Sequence, residues 1–352
     1  MSRTHAASKW LCSALAAPLT LFFGGGPHAP AHGVFAAQAT PRTYVLIVSG
    51  VGGDSVHSER FTRLALEASA ALRTRFAIED TLITVLAERP TQGAAGASER
   101  ATRTAVSAAL SRIAARAQPN ERVLFVYIGH GSAQSGRPQL ALVGPDLSAP
   151  DLAALLNPIR ATTVGVILAA SASGDFVRPL SAPGRVIITA TKSGAEQNES
   201  FFAEYFVAAL GSDASDADKD QRVSLLELFA YARKEVARVY ENSNRLQTEH
   251  AVLDDDGDGT AHADAAAAAA DGRFAARVAI ARIGAVAVAS DPRAAPFLKK
   301  REELERAIDS LRTRRDRLSA AEYDSRLEDL VVQLARVNRD MRQTLALPPR
   351  QP

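Results

Sequence analysis

From Thr43 onward the chain alternates short, nearly unbroken apolar runs with longer stretches whose apolar residues recur every three or four positions. Thr43–Val51 (TYVLIVSGV), Thr81–Ala87, Arg122–Ile128 (RVLFVYI), Thr163–Ala169 (TVGVILA) and Arg185–Ala190 (RVIITA) are predicted strands. Apolar runs of this kind suit strands covered on both faces. Helices are expected over Glu59–Phe76, Ser98–Ala117 with Ser98 as its N-cap, Glu199–Leu210 and Ser224–Tyr240. This rhythm predicts an α/β fold, a mostly parallel sheet between two helical layers. In such sheets, sites form where loops leave the carboxyl ends of the strands.

Past the sheet region the pattern changes. Asp264–Asp271 is an alanine tract bounded by acids, and Ala275–Val288 is a candidate added strand before Pro292 and Pro296. The chain then becomes charged and helical. Leu304, Ile308, Leu311 and Leu318 mark one stripe, and Tyr323, Leu327, Leu330, Leu334, Val337 and Met341 form a seam of heptad period. Ser319-Ala320-Ala321-Glu322 between them is a capping box. The expectation is an antiparallel helical hairpin over 291–345, with a short tail at 346–352. Oligomerisation through 297–341 is the alternative use of the seam.

The opening has a different character. Arg3 and Lys9 precede an apolar run from Trp10 to Phe23, and the segment closes on Ala37-Gln38-Ala39. That is the pattern of a secretory signal peptide over 1–39, with a secreted or periplasmic product. The apolar run is shorter than the ~18 residues a membrane span needs, so no integral span is expected after cleavage. The formal charge of the whole chain is +2, and Arg3 and Lys9 carry two positive charges, so residues 40–352 sum to zero. Such a balance excludes a strongly basic nucleic-acid surface. Cys12 is the one cysteine, so the chain beyond the signal carries no thiol. Disulfides and cysteine-ligated zinc are excluded with it.

Two strand tips carry candidate chemistry. The run to Gly129 leads directly into His130-Gly131-Ser132, and the run to Ala170 leads into Ser171-Ala172-Ser173-Gly174. A third run ends in Thr191-Lys192-Ser193-Gly194. In order and spacing this resembles the legumain and caspase clan of cysteine peptidases, most closely the bacterial legumain-like members, over about Thr43–Gly259. The resemblance implies a caspase-like three-layer sandwich spanning 40–290, a His130–residue 171 dyad, Gly131 and Gly174 at the oxyanion turn, and a peptide or protein partner in the cleft. Ser171 stands where that family has its nucleophilic cysteine. A thiol near pKa 8.5 is readily shifted to thiolate, whereas a serine hydroxyl needs an aligned base and an oxyanion hole. The resemblance therefore implies an exported, non-catalytic binding or scaffold module. The alternatives are a hydrolase using Ser171 with His130, or one using a metal-activated water at the Asp254–Asp258 loop. No orienting carboxylate for His130 is evident, and Asp175 is merely close in sequence.

Two acidic loops point to a hard cation. Asp216, Asp218, Asp220, Arg222, Ser224 and Glu227 occupy positions 1, 3, 5, 7, 9 and 12 of a twelve-residue calcium loop, with Gln221 where glycine usually turns the chain. Calcium is expected there. Ser224 and Glu227 equally fit a capping box for the next helix. Asp254, Asp256 and Asp258 repeat the alternation, but Ala265 stands at the closing position. This is the weaker cation candidate, and an exposed acidic turn is its rival reading. Thr248-Glu249-His250 just before it is a possible contributor to this second loop or to the pocket at the strand tips.

Overall fold

The computed structural model describes residues 41–91, 96–133, 136–267, 269–282, 292–313, 315 and 318–346. The expected signal segment, residues 347–352 of the tail and the run beyond Arg282 lie outside the described residues. The five predicted strands form, as β1 (Thr43–Ser49), β2 (Ile83–Ala87), β4 (Arg122–Gly129), β8 (Thr163–Ala170) and β9 (Arg185–Thr189). Their residues are almost all buried, as continuous apolar runs require when helices cover both faces. With β3 (Glu99–Arg100) and β11 (Val252–Asp254) they make one seven-stranded sheet in the order β11-β9-β8-β4-β1-β2-β3. All pairings are parallel except β11 against β9.

Helix α1 (Ser55–Thr74) packs with α5 (Phe202–Gly211), which packs with α6 (Leu225–Asn242). A second group, α2 (Arg103–Arg116), α3 (Ala149–Leu156) and α4 (Val177–Leu180), packs together. The result is the three-layer α/β sandwich expected from the sequence. Phe125, Tyr127, Phe176, Phe202, Phe206 and Phe229 are fully buried in its core. Each such side chain contributes about 1.5–3 kcal/mol by leaving water.

Element starts differ from expectation where tertiary pairing decides them. Helix α1 begins at Ser55, capped by Asp54, whose side chain accepts from the His57 amide. Ser98 does not cap α2. Its amide and hydroxyl both donate to the Val85 carbonyl, Glu99–Arg100 extend the sheet edge as β3, and Thr102 caps the helix. An alanine-rich stretch gives no local sign that its first residues will be claimed by a neighbouring strand. Ser224 and Glu227 form the expected capping box at α6. Within the Ala275–Val288 run, β12 (Ala279–Arg282) pairs antiparallel with β10 (Arg222–Ser224), forming a small separate sheet, and β5 (Gly131–Ser132), β6 (Gln139–Leu140) and β7 (Leu147–Ser148) form another antiparallel one.

Helices α7 (Ala295–Thr313) and α8 (Ala320–Ala346) pack on each other as the C-terminal hairpin. The Ser319–Glu322 capping box is present. Leu304, Ile308, Leu311 and Met341 are buried. From Tyr323 to Val337 the residues of the heptad seam are half-buried and all those between them are exposed. The period of the seam therefore marks the face that meets α7. No described helix is long and apolar enough to cross a membrane.

Candidate functional site at the carboxyl ends of β4 and β8

Strands β4 and β8 are parallel neighbours in a register that sets Gly129 beside Ala170. The next residues, His130 and Ser171, therefore emerge side by side. The abutment depends on Gly131, since a Cβ there would lie 2.3 Å from the Ser171 carbonyl oxygen. The Ser171 hydroxyl is buried within this contact. It donates to the Gly131 carbonyl at 3.2 Å and accepts from the Gly131 amide at 3.3 Å.

His130 turns the other way. Its Nε2 lies 3.2 Å from the Gly52 carbonyl oxygen, in the loop after β1. Since a carbonyl only accepts, this contact assigns the proton to Nε2. The ring meets Phe61 edge-on at 5.0 Å and His57 at 5.3 Å. Burial lowers its pKa below the ordinary 6.5, keeping the imidazole neutral, and the Gly52 hydrogen bond only partly opposes this. Among the described residues no hydrogen bond joins His130 to Ser171. Tyr127, fully buried in β4, places its hydroxyl 2.8 Å from both the His130 and Ala141 carbonyls and so fixes the backbone of the tip.

The turn after Ser171 is locked to the loop after β9. Ala172 takes a left-handed conformation (φ +51°) while buried, and its amide donates to the Glu196 carbonyl at 2.7 Å. Such a backbone is costly for a residue with a Cβ and persists where its surroundings hold it. Gly174 donates to the Thr191 hydroxyl at 3.1 Å, and a Cβ on it would meet the Lys192–Ser193 backbone at 2.2 Å. The glycines at 131 and 174 are thus required by close backbone approach. Asp175 accepts from the Gly194 amide at 2.9 Å and is part of this lock, not a partner of His130.

Sequence reasoning missed a polar chain on the other side of His130. His57 Nδ1 lies 2.7 Å from Asp54 Oδ2, and its Nε2 lies 3.3 Å from Glu199 Oε1. Arg60 pairs with both Glu199 and Glu204. Its residues come from the starts of α1 and α5, distant in sequence, and the one local signal was the Asp–x–x–His spacing at a helix start. Glu249, read from the sequence as a contributor to the second acidic loop or the pocket, is instead buried and caps α5. It accepts from the Phe201 amide at 2.8 Å, the Phe202 amide at 3.3 Å and the Ser200 hydroxyl at 2.5 Å. Burial raises its pKa against those donors. His250 pairs with Glu196 at 2.6 Å, which joins the segment before β11 to the loop that holds Ala172.

The first acidic loop brings together one oxygen each from Asp216, Asp218 and Glu227, all within 4.8 Å of one another. Gln221 adopts the left-handed turn (φ +66°) that glycine usually supplies, so the substitution does not unmake the loop. Glu227 closes it: Oε1 accepts from the Ala217 amide and Oε2 from the Ser224 amide, each at 2.8 Å. The capping box and the closing carboxylate are therefore the same residue in one geometry. Asp216 is buried and its Oδ1 has no hydrogen-bond partner, an acceptor left open as in a cation cage. Asp220 stands outside the trio. Its Oδ1 accepts from the Arg222 amide at 2.7 Å, and burial, then Asp218, push its pKa up to about 6.

In the second loop the third clustered oxygen comes from Asp271, not from Asp258. Asp258 accepts from the Thr260 amide at 2.6 Å. Asp254 and Asp271 are buried, so the exposed-turn reading fails for them, while Asp256 is exposed. The loop lies beside the start of β9, where Gly257 packs on Ala182 and Pro183, at the opposite end of the sheet from His130 and Ser171. A metal-activated water there does not face the two strand tips.

The sequence matches no protein-family model and no curated protein.

Proposed function

We propose that this protein is an exported, non-catalytic relative of the legumain and caspase clan, which uses the cleft at the β4 and β8 tips to hold a peptide segment of a partner. One observation carries the reading: the Ser171 hydroxyl is engaged with the Gly131 backbone while His130 is engaged with Gly52. A serine becomes a nucleophile when a base takes its proton, and the nearest imidazole is committed elsewhere. The sheet order, the placement of His130 and Ser171 at adjacent strand tips, and the lock between the Ser171 turn and the Thr191–Gly194 loop support kinship with that fold. The absence of any cysteine beyond Cys12 removes the alternative nucleophile. Calcium in the 216–227 loop fits the same reading as a structural ion, supported by the open Asp216 oxygen.

The test is chemical. Purified protein is exposed to a fluorophosphonate probe and to a mixed peptide library, beside Ser171→Ala and His130→Ala. The expected result is no label at Ser171 and no cleavage above either variant, with peptide retained on the wild-type protein. Labelling lost in Ser171→Ala, together with cleavage, would establish the hydrolase instead.

A further inference from the structure

We propose that Asp254, Asp256 and Asp271 hold a second divalent cation of the calcium class, which clamps the 254–275 excursion to the antiparallel edge strand β11. The proposal is independent of the reading of the cleft.

The size of the cluster fits such an ion. One oxygen from each carboxylate lies within 4.8 Å of the others. Calcium binds oxygen at about 2.3–2.6 Å, so ligands around one ion stand no more than about 5 Å apart. All three donors are hard oxygens, with no nitrogen or sulfur among them, which suits calcium, magnesium or manganese and disfavours zinc and copper. Calcium is the better match because the carboxylates are fixed by an irregular loop, whereas magnesium demands near-ideal octahedral geometry. Exposed Asp256 leaves one side open to water ligands.

The charge balance points the same way. Asp254 is 1% exposed and Asp271 is 2% exposed. Asp255 between them in the packing is also buried, with its Oδ2 accepting from the Ala275 amide at 2.6 Å and its amide donating to Asp271 Oδ1 at 3.0 Å. Among the described residues the ion-pair partner of this group is His262, whose Nδ1 meets Asp271 Oδ2. One imidazole does not balance three buried carboxylates. Asp254 is the least satisfied: Oδ1 accepts from the Gly257 amide at 3.2 Å, and Oδ2 has no hydrogen-bond partner. An uncompensated buried carboxylate oxygen is costly, and a cation is the ligand that meets that need. His262 then serves as the outer support that orients a ligating carboxylate. One rival exists within the fold. The Ser181 hydroxyl lies close enough to favour charged Asp254, yet neither it nor Asp254 Oδ2 completes a hydrogen bond.

Calcium titration calorimetry on the chelator-stripped full chain separates the two loops. Asp256→Asn and Asp218→Asn both alter exposed ligands, so folding is not at stake. Two calcium ions are expected per chain, with Asp256→Asn weakening one by about tenfold or more and Asp218→Asn weakening the other. Calcium should also raise the melting temperature of Asp218→Asn. Binding in Asp256→Asn indistinguishable from wild type overturns the proposal, as does a single ion that Asp218→Asn abolishes. A loss of stability in Ser181→Ala, in a protein with no second ion, identifies the hydroxyl as the partner of Asp254 and overturns it equally.

Discussion

Replacing Gly131 by alanine tests the contact on which the geometry of the two strand tips depends. The added Cβ would sit 2.3 Å from the Ser171 carbonyl oxygen, about an ångström inside ordinary van der Waals contact. The obstacle is backbone, held by the β4–β8 ladder up to Gly129 and Ala170, so it cannot rotate away. Overpacking a rigid site costs about 1–3 kcal/mol. Parting the tips also breaks the two hydrogen bonds between Ser171 Oγ and the Gly131 backbone, each worth about 0.5–1.5 kcal/mol. The expected loss is then about 2–6 kcal/mol, a fall in melting temperature of roughly 4–24 °C for a domain of this size. Thermal and urea unfolding followed by circular dichroism measure it. Gly211→Ala is the control, because its Cβ meets nothing within 4 Å and it is the exposed last residue of α5. That change should be neutral or stabilising by up to about 1 kcal/mol. If Gly131→Ala matched wild type to within about 0.5 kcal/mol, as surface changes do, the abutment of the two tips would be wrong.

Two further outcomes follow from the same region. Glu249→Ala removes the cap of α5 and leaves the half-buried Phe201 amide and Ser200 hydroxyl without their acceptor, while the Phe202 amide keeps the Ser200 hydroxyl at 3.1 Å. A loss of about 2–4 kcal/mol in urea unfolding is expected from the lost cap and the stranded donors, and a loss below about 1 kcal/mol refutes its role. The His130 ring should titrate by NMR with a midpoint below 6.5, because burial disfavours its charged form. A depressed folded pKa contributes stability that is present above pH 6.5 and is lost as pH falls through the folded midpoint. His130→Asn should therefore flatten the acid side of the stability profile, and a midpoint above 6.5 would place the ring in solvent or in an ion pair.

The amino-acid pattern by itself determined the layered architecture and the positions of its five main strands. Continuous burial of a strand on both faces writes itself into every residue of the run. It also determined the hairpin and both capping boxes, at Ser224 and Ser319, since a cap is made by residues three positions apart. The identities of His130, Ser171, Gly131 and Gly174 as strand-tip residues were equally legible, because each follows directly from the end of an apolar run. The tertiary structure alone decided what these residues touch. Whether His130 meets Ser171 or Gly52 depends on how the loop after β1 lies across the sheet, and no local pattern encodes that. Ser98 was lost as a cap because strand β2, many residues earlier, claims its donors. Asp271 displaced Asp258 from the second acidic cluster for the same reason: electrostatics acts through space, and the chain folds back across its alanine tract to bring a distant carboxylate closer than a neighbouring one.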